Sequence, residues 1–198
     1  MRLLLAGLLL AGRALAETWS YWIEPCTAEL AKQAGCTAAD AELGVWALEA
    51  WQKASAGGLQ VIATPEEQHA RIRIYWASGT QSLYGEARPI VVDGKRGAAV
   101  YVIPEMARLG PDIEAVAKRD PLFRDTVVYL TCLHESGHAL GLPHTAQFVD
   151  IMYSFGFGGD IVEYFARYRR ELSSRQRIPD HSGISPADRE KLMAIFKK

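Results

Sequence analysis

Apolar positions along the chain recur with two periods, and the changes of period mark the expected elements. Over residues 37–54, Leu43, Trp46, Leu48, Ala50 and Trp51 supply one apolar side at helical spacing. Thr37 is the expected N-cap of that helix, Asp40 follows three residues on, and Gly57-Gly58 ends it. Residues 59–63 then read as a strand. So do residues 70–76, where Ile72, Ile74 and Trp76 alternate with Arg71, Arg73 and Tyr75, predicting one buried and one wet face. Residues 90–92 and 98–103, joined across Asp93-Gly94, predict a hairpin, because that dipeptide accepts the left-handed conformations of a tight turn. Further helices are expected over 126–140 and about 159–174. The last starts at Ser185, where Ser185-Pro186-Ala187-Asp188 offers an N-cap, a first-turn proline and an acid three residues after the cap. Strands and helices in this mixture predict an α+β fold. No repeat, low-complexity tract or linker divides it.

The N-terminus changes the picture of where the fold begins. Met1-Arg2, the apolar run from Leu3 to Leu10, and Ala14-Leu15-Ala16 read as the three regions of a secretory signal peptide, residues 1–16. Cleavage after Ala16 leaves residues 17–198 as one domain. The apolar run is shorter than the roughly 20 residues a membrane span needs, and Glu17 is no lipid-bearing cysteine. The expected product is secreted or periplasmic, with no membrane span. Its length of 198 residues and 49% hydrophobic content suit a globular protein with one core. Losing Arg2 and Arg13 with the leader leaves 20 basic against 23 acidic residues, and the basic run is confined to 167–177. No nucleic-acid partner is expected. In an oxidising compartment Cys26 and Cys36, ten positions apart, are the natural disulfide pair. Cys132 is then read as a buried structural thiol, with metal ligation the minor alternative.

The chemistry is concentrated in His134-Glu135-Ser136-Gly137-His138-Ala139-Leu140-Gly141-Leu142-Pro143-His144. Residues four apart share a helix face, so the imidazoles of His134 and His138 converge on one point, a spacing that suits zinc. Glu135, one step round, is too far to be a convenient ligand but is placed to reach a water on that metal, as a general base. Gly141 can adopt the left-handed conformation that ends a helix, and the turned chain returns His144 as a third ligand. Three protein ligands leave a fourth position open, the mark of a catalytic zinc site. His69 and His181, the remaining histidines, read as solvent or loop residues.

With these residues in place the chain resembles the metzincin zinc peptidases, and within them the matrixins. Asp150-Ile151-Met152-Tyr153-Ser154 is similar to the family's tight turn, whose methionine, here Met152, packs as a floor beneath the zinc. Ser154 stands where the astacin and serralysin branches place a tyrosine, and Ile184-Ser185-Pro186-Ala187-Asp188-Arg189 is similar to the start of the matrixin C-terminal helix. The resemblance covers about residues 38–196 and implies a metzincin-like catalytic domain: a twisted mixed sheet, an active-site helix, the methionine turn and a C-terminal helix. There are departures. The family's second, structural zinc has no counterpart, because there is no histidine between His69 and His134. The resemblance leaves calcium open, yet no calcium loop is legible, Asp93-Gly94 being more simply a turn. Glu24-Pro25-Cys26 lacks the flanking residues of the propeptide switch, Thr145 stands where serine is usual, and residues 155–183 form a longer stretch than usual.

The resemblance thus implies a secreted zinc endopeptidase with one catalytic zinc, acting on peptide or protein substrates as a monomer. Substrate would lie along an edge strand, for which residues 83–87 are the candidate. Tyr153, Phe155 and Phe157 would line the neighbouring pocket or serve as ordinary loop anchors. The alternative is an exported zinc-binding module without peptidase activity, acting as a protein-interaction domain. Glu135 speaks against it, since a module that only binds zinc needs no acid beside the ligands.

Overall fold

The computed structural model describes residues 15–79 and 84–197. The expected leader therefore lies outside the described residues apart from Leu15 and Ala16, as does Leu83 of the candidate edge strand. In chain order the elements are β1 (Glu17–Ile23), α1 (Ala28–Ala34), α2 (Asp40–Ala54), β2 (Leu59–Ala63), β3 (Ile72–Trp76), β4 (Gly85–Val92) and β5 (Lys95–Val102). Then follow α3 (Pro111–Arg119), α4 (Pro121–Leu140), α5 (Ile161–Arg169) and α6 (Pro186–Phe196). The five strands form one mixed sheet in the order β2-β1-β3-β5-β4. β1 pairs in parallel with both β2 and β3, β3 pairs in parallel with β5, and only β4 runs antiparallel, as the outer neighbour of β5. This is an α+β architecture with the mixed sheet that the resemblance implies.

The core lies between one face of the sheet and the helices α2 and α4. Ile72, Ile74 and Trp76 of β3 and Ala98, Val100 and Val102 of β5 are buried with Leu43, Leu48 and Trp51 of α2 and with Val127 and Leu133 of α4. The expected alternation in β3 is therefore present, with one correction at its start. Arg71, assigned to the wet face, is buried at 8% exposure. Its guanidinium donates to Glu17, the Thr18 carbonyl and the Arg96 carbonyl, and lies 3.6 Å over the Trp19 ring, so each of its polar atoms is paired on leaving water.

Element boundaries differ where side chains rather than periodicity set them. The first expected helix starts at Asp40 and not at Thr37, because Thr37 donates its N–H (2.8 Å) and hydroxyl (3.0 Å) to the Asp40 carboxylate instead of capping. The same carboxylate takes an Arg124 donor at 2.7 Å, and Arg124 also holds the Gly35 carbonyl. α4 begins five residues ahead of expectation, where Asp120 accepts from Leu122 and Phe123 and Pro121 takes the first turn. The helix expected over 159–174 is shorter, capped by Asp160 and ending at Arg169. The hairpin is longer on both strands, turning at Asp93 and Gly94, both with positive φ (50° and 71°). Ser185 caps α6 as expected, accepting from Asp188 N–H. β1, α1 and α3 carry no period long enough to predict them. Cys26 and Cys36 are bonded, with Cα atoms 6.0 Å apart, clasping α1 between them, and Cys132 is a buried free thiol.

Candidate active site

α4 carries the site. His134 and His138 sit one turn apart on it, and the helix stops at Gly141, whose φ of 108° is left-handed. Gly141 N–H bonds back to the Gly137 and His138 carbonyls and Leu142 N–H to Gly137, so the chain reverses and delivers His144. Arg96, from the β4–β5 hairpin, donates to the Ala139 and His138 carbonyls at 3.0 and 3.3 Å and satisfies the exposed end of the helix. The result is a triangle of imidazole Nε2 atoms, with sides of 3.1 Å (His134–His138), 3.0 Å (His138–His144) and 3.3 Å (His134–His144). Nitrogens at about 2.0–2.1 Å from a tetrahedral zinc stand about 3.3 Å apart, so the triangle fits that ion.

Protonation fits as well. His134 Nδ1 lies 2.6 Å from the Ile151 carbonyl and His138 Nδ1 lies 2.9 Å from the Leu142 carbonyl. A carbonyl only accepts, so each Nδ1 carries the hydrogen and each Nε2 turns a lone pair to the centre of the triangle. Burial lowers the pKa of His134 to about 3, with His138 and His144 adding to it, and burial likewise lowers that of His138. His134 and His138 are thereby held in the neutral form, the one that binds a metal.

The turn after His144 forms the floor. Met152 is fully buried, and a methyl added to Gly137 would meet its Sδ at 2.4 Å and the Trp51 ring at 3.0 Å. Glycine at 137 is what lets methionine and helix touch. Glu135, 7% exposed, lies on the side of α4 facing β4, where a Cβ on Gly85 would come within 2.8 Å of its Cγ. Burial, and then the charge of Glu86, raise its pKa to about 8 in the absence of a cation. A cation nearby favours the ionised form.

Beside the triangle opens a cavity of about 560 Å³. Its rim carries Gly85, Glu86 and Ala87 of the edge strand, and its depth is apolar: Tyr84, Leu130, Phe155, Tyr164 and Phe165. Of the three aromatic residues expected here, Tyr153 and Phe155 line it. Phe157 does not: it is 64% exposed outside. Leu130 was findable, standing four residues before His134 on the same face, and Thr131 stands likewise before Glu135. Tyr164 and Phe165 had no such signal, because only tertiary folding brings α5 here. His69 lies at the surface beside Glu66 (3.1 Å), away from this cavity.

The matrixin family model matches residues 16–158, which span β1 to the turn beyond Met152 and include the whole histidine triangle. The chain belongs to the matrixins. These are zinc metallopeptidases, and the donor set here suits their metal. Comparison with curated proteins gives no match. α5 and α6 lie beyond the matched residues, so the matrixin likeness in that part rests on the capped start of α6 and its bond to the methionine turn, Ile151 N–H to Asp188 at 2.7 Å.

Proposed function

We propose that the protein is an exported zinc-dependent endopeptidase, with His134, His138 and His144 as metal ligands and Glu135 as general base. The observation that carries this is the placement of Glu135. A carboxylate without a hydrogen-bond or ion-pair partner among the described residues is buried beside the three imidazoles, at the junction of a sheet edge and an apolar cavity of side-chain size. Zinc, when bound, supplies a Lewis acid that polarises a carbonyl and acidifies water.

The chain's own residues do the rest. Among the described residues β4 has a ladder partner on one side only, so residues 85–87 offer backbone groups to an extended peptide, which would pair as an added strand. That pairing aligns the scissile bond with the triangle and drops a side chain into the cavity between Leu130 and Phe165. Glu135 takes a proton from the attacking water and hands it to the leaving amine. Export is supported by the signal-like leader and by the Cys26–Cys36 bond, which belongs to an oxidising compartment. Among the described residues no helix is long and apolar enough to cross a membrane.

The test is Glu135→Ala against wild type, at matched zinc content, on a broad peptide mixture. General acid–base catalysis contributes roughly 10² to 10⁴-fold, and the variant should lose that much while keeping its zinc. Equal cleavage by both removes Glu135 from the mechanism; zinc binding by wild type without any cleavage returns the protein to the class of interaction modules.

A further inference from the structure

The Ile151 carbonyl accepts two hydrogen bonds. One comes from His134 Nδ1 at 2.6 Å, the other from the phenol of Tyr164 at 3.1 Å, and the same phenol lies 3.1 Å from the Asp150 carbonyl. Tyr164 belongs to α5, beyond the residues that the matrixin family model matches. Its ring is fixed from several sides: Phe155 at 5.1 Å and Phe165 at 5.3 Å meet it edge-on, Tyr153 stacks at 6.1 Å, and the Arg167 guanidinium lies 4.4 Å over it. Only 3% of the residue is exposed, so its hydroxyl has no water to turn to and is committed to these two carbonyls.

We infer that Tyr164 is a positioning residue for His134: from α5 it clamps the Ile151 carbonyl, and the clamped carbonyl sets the rotation of the imidazole that faces the metal. The inference rests on the proposed zinc site but not on cleavage. An imidazole turning about its χ2 needs its Nδ1 acceptor held still, and outer partners of metal-bound histidines typically carry about 10 to 100-fold in metal affinity or activity. Tyr164 acts one bond further out, so the lower end applies. α5 thereby serves the metal site from behind while its neighbour Phe165 closes the cavity.

Tyr164→Phe removes one oxygen and keeps the ring. Tyr168→Phe is the matched control: it lies one turn on in the same helix, is 4% exposed, and its hydroxyl bonds to the His181 carbonyl, away from the site. Zinc affinity is read by competition with a chromogenic chelator, independently of catalysis. Tyr164→Phe should bind zinc about tenfold more weakly than wild type, with Tyr168→Phe unchanged. Tyr164→Phe within twofold of wild type, or an equal loss in both variants, overturns the inference. Nuclear magnetic resonance of the unmodified zinc-loaded chain needs no variant: a slowly exchanging His134 Nδ1 proton should show a cross-peak to the Tyr164 hydroxyl. A rapidly exchanging proton without that cross-peak counts equally against it. A chain that binds zinc but cleaves nothing would sink the peptidase reading and leave both measurements intact.

Discussion

Ser185 has one hydroxyl hydrogen and two carboxylates to serve. Its Oγ lies 2.7 Å from Asp150 Oδ1 and 3.0 Å from Asp188 Oδ2, while accepting from Asp188 N–H. Both contacts can be hydrogen bonds only if one carboxyl is protonated, and Asp188, fully buried, has its pKa raised by burial and then by Asp150. A raised acid stabilises the fold below its unfolded pKa, and that contribution is lost as pH rises through the folded value. Each unit of displacement is worth about 1.4 kcal/mol. The urea midpoint of wild type relative to Asp188→Asn should therefore fall as pH rises from the ordinary aspartate range toward neutrality. A midpoint that climbs over this range, equally in both proteins, would contradict the shared proton. At the metal, His144→Ala leaves two imidazoles of three, so zinc should be lost on dialysis against a mild chelator. Full retention would show that His144 is not a ligand.

At the scale of elements, the contact of α4 with the methionine turn weighs two effects against each other. Gly137→Ala gains about 1 kcal/mol of helix propensity, yet its methyl would collide with Met152 and Trp51 at a typical cost of about 1–3 kcal/mol. Trp51 cannot yield, because its Nε1 donates to the Leu133 carbonyl at 2.8 Å. The collision should win, and Tm should drop by about 2–4 °C per kcal/mol of net loss; a higher Tm would show that the turn gives way freely. Short-range patterns made much of this legible in advance. The His134–His144 spacing, Gly141 and the Asp93-Gly94 turn all express rules of one or two helical turns, and the structure brings the three histidines together accordingly. What stayed hidden depends on distant partners. β1 is an interior strand in which only Trp19 is buried, so it shows no alternation; α1 is seven residues long and held by its disulfide; Arg71 is buried because four groups from two strands, β1 and β5, receive it. The α5 wall of the cavity belongs to the same class.

Taken whole, the molecule places the first of its described strands inside its sheet, between β2 and β3. β1 is joined to β2 and β3 by parallel pairings between residues about 40 and 50 apart in the chain, and such non-local pairings form slowly. The sheet cannot close until both partners have been made and aligned. Until then the apolar faces of β3 and β5 and of α4 stand open. Under the proposed peptidase function this has a consequence of its own kind: a chain still assembling is an extended, unprotected peptide in the company of finished copies that would cut such peptides. Assembly and self-digestion then compete, the first being independent of concentration and the second rising with it. Refolding from urea with zinc should leave fragments that increase with protein concentration, whereas Glu135→Ala refolded alongside should stay intact. Equal fragment patterns in the two would mean that the cutting comes from elsewhere. If the competition holds, late closure of the sheet rations the active enzyme, because each new molecule must outrun those that matured before it.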